Sequence, residues 1–291
     1  MERNTGKMTL STFQTIIDKI GDDICFLLVY HQGEPLMNKN FYDFVRLAKQ
    51  KNIYVTTSTN GHYFTPKNVG ELIDCGLDSM IVSMDGSTQE SYEKYRVGGT
   101  LVRVIEGTRL LMQEKKKRRS RTPNVALQFL VMKHNESEIA AMRQLAKDIG
   151  VDRFLVKNIE VRSIGEANKW LPQNPAFRRY NFDGSTLRVK NDDQKYCSRP
   201  WASTLINWEG TIVPCCFDKN AHFPMGNIRD SVHFADIWFN GSYSAFRNKM
   251  LADRNQIEIC RNCNQGFKSF LTSRKWQKRT KSYTEAEHEN K

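Results

Sequence analysis

No stretch of this chain stays apolar for the ~18–20 residues that a membrane span requires, and its N-terminus, Met1-Glu2-Arg3-Asn4-Thr5, is polar where a secretory signal would carry an apolar core. A transmembrane or exported protein is therefore not expected, and the expected compartment is the cytoplasm. Histidine is scarce as well. The six (His31, His62, His134, His222, His233, His288) are scattered, with no His-x3-His spacing and no paired base for a nucleophile, which argues against a histidine metal site or a hydrolytic triad. His31 stands beside a glycine-containing strand end but reads best as a satisfied turn residue. No internal repeat recurs at a fixed period. Acidic residues are outnumbered 32 to 44 by Lys and Arg, giving a formal charge of +12. The excess gathers in Lys115 to Arg121 and in Lys268 to Lys281, runs that suit nucleic acid, a phosphate-bearing substrate or an anionic surface, and more commonly a solvated helix end and tail.

What remains describes a globular protein of 291 residues, long enough for one large domain or two. Five of its seven cysteines fall in the last third: Cys197, Cys215-Cys216 and Cys260-Arg261-Asn262-Cys263. A Cys-x2-Cys pair with two distant thiolates can close a four-thiolate shell around an ion or a cluster. In a reducing compartment such thiols read as metal ligands sooner than as disulfides. Cys25 and Cys75 are isolated and read as small buried hydrophobes.

The first 160 residues alternate in period. Helical spacing over Thr9–Ile20, Phe41–Lys51, Val69–Cys75, Val102–Glu114 and Glu136–Ile149 alternates with strand-like runs at Ile24–Tyr30, Ile53–Ser58, Met80–Met84, Val125–Met132 and Arg153–Val156. Such βα units predict a parallel sheet with outer helices, able to curl into a full or partial barrel whose functional loops follow the strand C-termini. The rhythm stops from Arg162 to Tyr196, a predicted linker or crossover, before the cysteine-rich unit. Each early strand end carries a glycine or polar group: His31-Gln32-Gly33-Glu34-Pro35, Ser58-Thr59-Asn60-Gly61 and Ser83-Met84-Asp85-Gly86. Each alone is an ordinary turn. Three in succession fit a ligand site, because α/β folds bind ligands there.

These strand ends resemble those of radical S-adenosylmethionine enzymes. The tail, with Cys197, Gly210-x4-Cys215, Cys260-x2-Cys263, Pro200-Trp201 and Asn207-Trp208-Glu209-Gly210, resembles the SPASM extension that holds an auxiliary iron–sulfur cluster. The resemblance implies a partial radical SAM (β/α) barrel over 1–162 that lacks its first strand, a linker over 163–196, a SPASM-type domain over 197–266 and a basic tail over 267–291. It implies that Gly33, Glu34 and Pro35 face the methionine amino group of S-adenosylmethionine, with Ser58, Ser83 and Asp85 near its methionine or ribose part. Cys197, Cys215, Cys260 and Cys263 would ligate one [4Fe–4S] cluster, with Cys216 the alternative to Cys215. Trp201, Trp208 and Trp238 are expected to pack around it. The implied activity is reductive cleavage of S-adenosylmethionine and hydrogen abstraction from a peptide or small molecule, with flavodoxin or ferredoxin as electron donor. The family's Cys-x3-Cys-x2-Cys loop does not occur in this sequence. It belongs just ahead of Arg3-Asn4-Thr5-Gly6-Lys7-Met8, so the expectation is a truncated product of a radical enzyme, since Ile24–Tyr30 would otherwise form a bare apolar edge. A cluster-keeping remnant is the alternative. From a different class comes a four-cysteine zinc module that binds nucleic acid through the basic runs.

Overall fold

The computed structural model describes residues 3–190, 197–261 and 263, and the backbone of 276–277. The expected tail at 267–291 otherwise lies outside the described residues. Helix α1 (Leu10–Ile20) opens on Thr9, whose hydroxyl accepts from Thr12 N. After it, strands β1 (Phe26–Leu28), β2 (Tyr54–Thr59), β3 (Ser79–Ser83), β4 (Asn124–Val131) and β5 (Arg153–Asn158) alternate with helices. These are α2 (Phe41–Gln50), α3 (Pro66–Asp74), α4 (Gln89–Tyr95), α5 (Leu101–Lys117) and α6 (Ile139–Ile149). The strands pair in parallel in sequence order, the arrangement that right-handed βα crossovers produce. The central ones are buried on both faces, with Val55, Met80, Val82, Val125, Leu127, Phe129 and Phe154 in one core cluster. A partial (β/α) barrel is thus the architecture, as the alternating periods predicted.

Several boundaries differ from the sequence reading for identifiable reasons. β1 keeps only Phe26–Leu28 of the seven residues expected. It is the edge of the described sheet, with Phe26 52% and Leu28 50% exposed, the bare apolar edge the sequence suggested. Cys25, just before it, is exposed rather than buried, whereas Cys75 lies in the core as expected. Helix α5 runs on to Lys117, past the predicted end at Glu114, because lysine is a good helix former, so the basic run begins on the helix. Lys115 is buried and paired with Asp152 at 2.8 Å, and Arg118 pairs with Asp74 and Glu114. The supposed linker holds helix α7 (Ile164–Trp170) and an antiparallel hairpin of β6 (Tyr180–Phe182) and β7 (Leu187–Val189). These close a small core of Met132, Ile159, Ala167, Leu171, Tyr180 and Val189.

The cysteine-rich unit carries helix α8 (Arg199–Ala202) and the antiparallel strands β8 (Leu205–Ile206), β9 (Thr211–Val213) and β10 (Gly226–Asn227). Helices α9 (Phe234–Trp238) and α10 (Gly241–Asp253) follow. Strand β11 (Trp276–Gln277) adds to β5 in the antiparallel sense, a pairing the sequence did not announce. Helix α1 is the wall between the two units. Phe13 and Ile17 pack into the barrel core, and Ile16 and Ile20 into a second core with Ile212, Ile228, Ile237 and Met250. Apolar positions at i, i+3, i+4 and i+7 serve both sides at once. Among the described residues no helix is long and apolar enough to cross a membrane.

Candidate functional site

At the strand ends, the turn after β1 places Gly33 at φ +79°, a left-handed conformation that glycine adopts without penalty. Glu34 follows as the cap of a short 3-10 turn, Pro35–Met37. Its carboxylate is held by three donors. Oε1 accepts from Leu36 N at 3.1 Å and from the Thr59 hydroxyl at 2.8 Å, and Oε2 accepts from Asn60 N at 2.7 Å. A carboxylate offers about four lone-pair sites, so Oε2 keeps acceptor capacity for an ammonium. Thr59 is the residue sequence reasoning missed. Its hydroxyl accepts from Gly61 N at 3.0 Å while donating to Glu34, clasping the ends of β1 and β2 together. The only hint was a hydroxyl residue directly ahead of Asn60-Gly61. Ser58 is half-buried near the end of β2, and Ser83 is buried at the end of β3.

The Asp85 carboxylate is bonded within the protein. It is 0% exposed, with Oδ2 bonded to Arg96 Nη2 (2.6 Å) and Nε (2.7 Å) and Oδ1 to Leu130 N (2.8 Å). Burial pushes its carboxyl pKa up, while the Arg96 charge and the Leu130 N–H pull it back. The Asp85 carbonyl also accepts from Asn135 Nδ2 at 2.9 Å. This residue fixes the ends of β3 and β4.

In the tail, Cys197, Cys215, Cys260 and Cys263 line one cavity. The enclosed room there is about 20 Å³. Cys197 precedes α8, Cys215 follows β9, and Cys260 ends a 3-10 turn from which the Cys263 N–H returns to the Cys260 carbonyl at 3.1 Å. The wall is apolar, with Pro200, Phe217, Phe246, Met250 and Ile259, apart from Arg199 and Arg254. Trp201, Trp208 and Trp238 are not in it. Trp201 is exposed, Trp208 lies flat against Gly6, and Trp238 stacks beneath Arg247. Burial pushes the Cys215 and Cys260 thiols up to about 12, with the neighbouring cysteines adding to the shift. Thiolates gathered in an apolar space repel one another, and bound metal removes that penalty. Cys216 is turned elsewhere, its sulfur accepting from Arg199 Nη1 at 3.7 Å.

Four cysteine thiolates with two arginines suit an iron–sulfur cluster, whose ligands and net negative charge they match, and the same four thiolates are also a ligand set that zinc accepts.

Residues 2–146 match the radical SAM superfamily, and residues 197–264 match SPASM, an iron–sulfur cluster-binding domain. The chain is a radical SAM/SPASM protein. Its radical SAM and SPASM parts carry the partial barrel and the four-cysteine cavity, respectively. The tungsten-containing aldehyde ferredoxin oxidoreductase cofactor-modifying protein of Pyrococcus furiosus is 24% identical over 280 residues, covering 84% of this chain and 76% of its own. A PqqA peptide cyclase of Gluconobacter oxydans is 23% identical over 286 residues, covering 90% and 76%. The solved structure of anSMEcpe with bound AdoMet superposes with a TM-score of 0.64 at 16% identity, over 90% of this chain and 81% of that one. That last likeness speaks for the fold.

Proposed function

We propose that this radical SAM/SPASM chain holds one [4Fe–4S] cluster on Cys197, Cys215, Cys260 and Cys263 and binds S-adenosylmethionine at the ends of β1, β2 and β3. In this reading a form that also carries the family's Cys-x3-Cys-x2-Cys loop serves a one-electron modification of a peptide or small molecule. The observation that carries the reading is the shared cavity of the four cysteines, apolar apart from two arginines. When bound, the cluster supplies one-electron transfer, and S-adenosylmethionine supplies the carbon-centred radical precursor. The chain's own residues bind and orient. Glu34, locked by Thr59, Asn60 and Leu36, presents a fixed carboxylate to the methionine ammonium. Gly33 and Pro35 shape the turn around it, and Ser58 and Ser83 line the neighbouring strand ends. Asp85 acts at one remove, through the rigidity of the β3 and β4 ends.

A peptide or small-molecule substrate agrees with relatives whose names specify PqqA peptide cyclase and a cofactor-modifying protein. The formal charge of +12 favours an electron donor with an acidic face, such as a flavodoxin or ferredoxin. Thiolate ligands fit a reducing cytoplasm. Functionally, the chain divides into the barrel at 1–162 and the cluster module at 197–266, with α7 and the β6–β7 hairpin between them. A nucleic-acid-binding zinc module has less support. Lys115 and Arg118 of the basic run are engaged in internal ion pairs.

The test is anaerobic reconstitution of the full chain with iron and sulfide. The expected product is brown, with broad absorption near ~400 nm from sulfur-to-iron charge transfer and about four irons per chain. Cys260→Ala should lose most of that iron. A colourless product with stoichiometric zinc, or an unchanged iron content in Cys260→Ala, overturns the reading.

A further inference from the structure

One side chain joins the two candidate sites. His31 follows β1 and precedes Gln32-Gly33-Glu34, and its Nε2 donates to the Cys216 carbonyl at 3.0 Å, across 185 residues of sequence. A carbonyl only accepts, so Nε2 carries the proton. That carbonyl belongs to the peptide unit joining Cys216 to Phe217, directly after a candidate cluster ligand, and Asp218 N closes the same turn by donating to the Cys215 carbonyl at 3.2 Å. The imidazole N–H therefore holds the turn that carries the Cys215 side chain, and a donor on that peptide polarises the hydrogen bonds around it. A second strap runs alongside. Arg3 donates from Nε to the Lys219 carbonyl at 2.8 Å and from Nη2 to Gln32 Oε1 at 2.9 Å. Residues 31–32 and 216–219 are thus tied at two points.

We propose that His31 is a positioning residue: it fastens the Gly33-Glu34-Pro35 loop to the Cys215 arm of the tail cavity and tunes the Cys215 sulfur through the 216–217 peptide. This rests on the reading that the cavity holds a cluster. Two consequences follow from the geometry. N–H donors near a ligating sulfur stabilise the more negatively charged, reduced state, so losing the His31 donor lowers the reduction potential of the tail cluster. Losing it also frees the 215–219 turn in the chain without metal, because the tie belongs to the protein alone.

The experiment compares wild type, His31→Phe, which keeps a ring and removes the donor, and His31→Gln, which restores an amide N–H near the Nε2 position. The midpoint potential of the reconstituted full-length protein is followed by electron paramagnetic resonance. Backbone hydrogen exchange of 213–220 is measured on the metal-free chain. The expected result is a more negative potential and faster exchange in His31→Phe, with His31→Gln returned to wild type in both. An unchanged potential in His31→Phe overturns the assignment, and so does an equal shift in both variants, which would make ring packing the cause. If wild type binds no iron, the cluster reading fails by itself. The exchange data then decide the tie: unchanged exchange in His31→Phe refutes it, and faster exchange reversed by His31→Gln sustains it.

Discussion

Arg96→Met probes the least exposed charge at the strand ends. Asp85 is 0% exposed and accepts three hydrogen bonds, two of them from Arg96, whose side chain is 27% exposed. Removing the guanidinium leaves Oδ2 without a donor and the carboxylate with only the Leu130 N–H. Breaking a buried pair from one side costs about 3–5 kcal/mol. Loss of the Arg96 contact to the Tyr95 ring, 5.5 Å from its centroid, adds roughly 0.5–1 kcal/mol. At roughly 2–4 °C per kcal/mol, the melting midpoint at pH 8 should fall by ~7–24 °C. The pH dependence has a definite sign. Burial already pushes the Asp85 pKa up, and removing the arginine pushes it further. A carboxyl whose folded pKa exceeds its unfolded value binds its proton better when folded, so its contribution is fullest below the unfolded pKa and is lost as pH rises through the folded one. The deficit of Arg96→Met should therefore be largest at pH 8 and shrink toward pH 5, and Asp85→Asn added to it should recover part of the loss. Thermal and urea unfolding at both pH values test this. A deficit that is the same at pH 5 and pH 8, or below about 1 kcal/mol, refutes the argument.

Two further outcomes follow from the same site. Thr59→Val removes the 2.8 Å bond to Glu34 Oε1, a charge-assisted interaction of about 1.5–3 kcal/mol, and should weaken S-adenosylmethionine binding by about tenfold or more in calorimetry, whereas Thr59→Ser should stay near wild type. In the metal-free chain at pH 8, a short iodoacetamide pulse read by mass spectrometry should alkylate exposed Cys25 first. Cys215 and Cys260, with thiols pushed up to about 12, and Cys75, pushed up to about 11, should react last, with Cys215 reacting as fast as Cys25 being the contrary result.

The barrel was legible because its signals are local. A switch from period two to period 3.6 marks each βα unit, and the turn residues after β1, β2 and β3 fall where such folds bind ligands. The spacing of Cys197, Cys215, Cys260 and Cys263 likewise pointed to one shell, and the chain brings those four residues to one cavity. What escaped depends on pairing across distance. The partner of Asp85 is an arginine eleven residues on, at the end of α4, and no local pattern distinguishes a carboxylate free for a ligand from one already bonded. Thr59 is meaningful only once Glu34 lies beside it. Ile24–Tyr30 does stand as an apolar edge, but only Phe26–Leu28 of it pairs as a strand, because β1 has a partner on one side only. The β6–β7 hairpin was hidden because three-residue strands are too short to show a period. The tryptophans were misplaced because size alone does not say which cavity a ring will fill.

Helix α1 divides its apolar face between two cores, Phe13 and Ile17 on one side and Ile16 and Ile20 on the other. Neither unit can lose that helix without exposing a face of the other, so the two melt as one cooperative block. Any ligand that binds the native tail and not the unfolded chain then stabilises the barrel by the same free energy. Metal supply at the tail would in this way set the lifetime of the barrel's strand ends as well, and a cell short of iron would clear the whole chain, not only its tail.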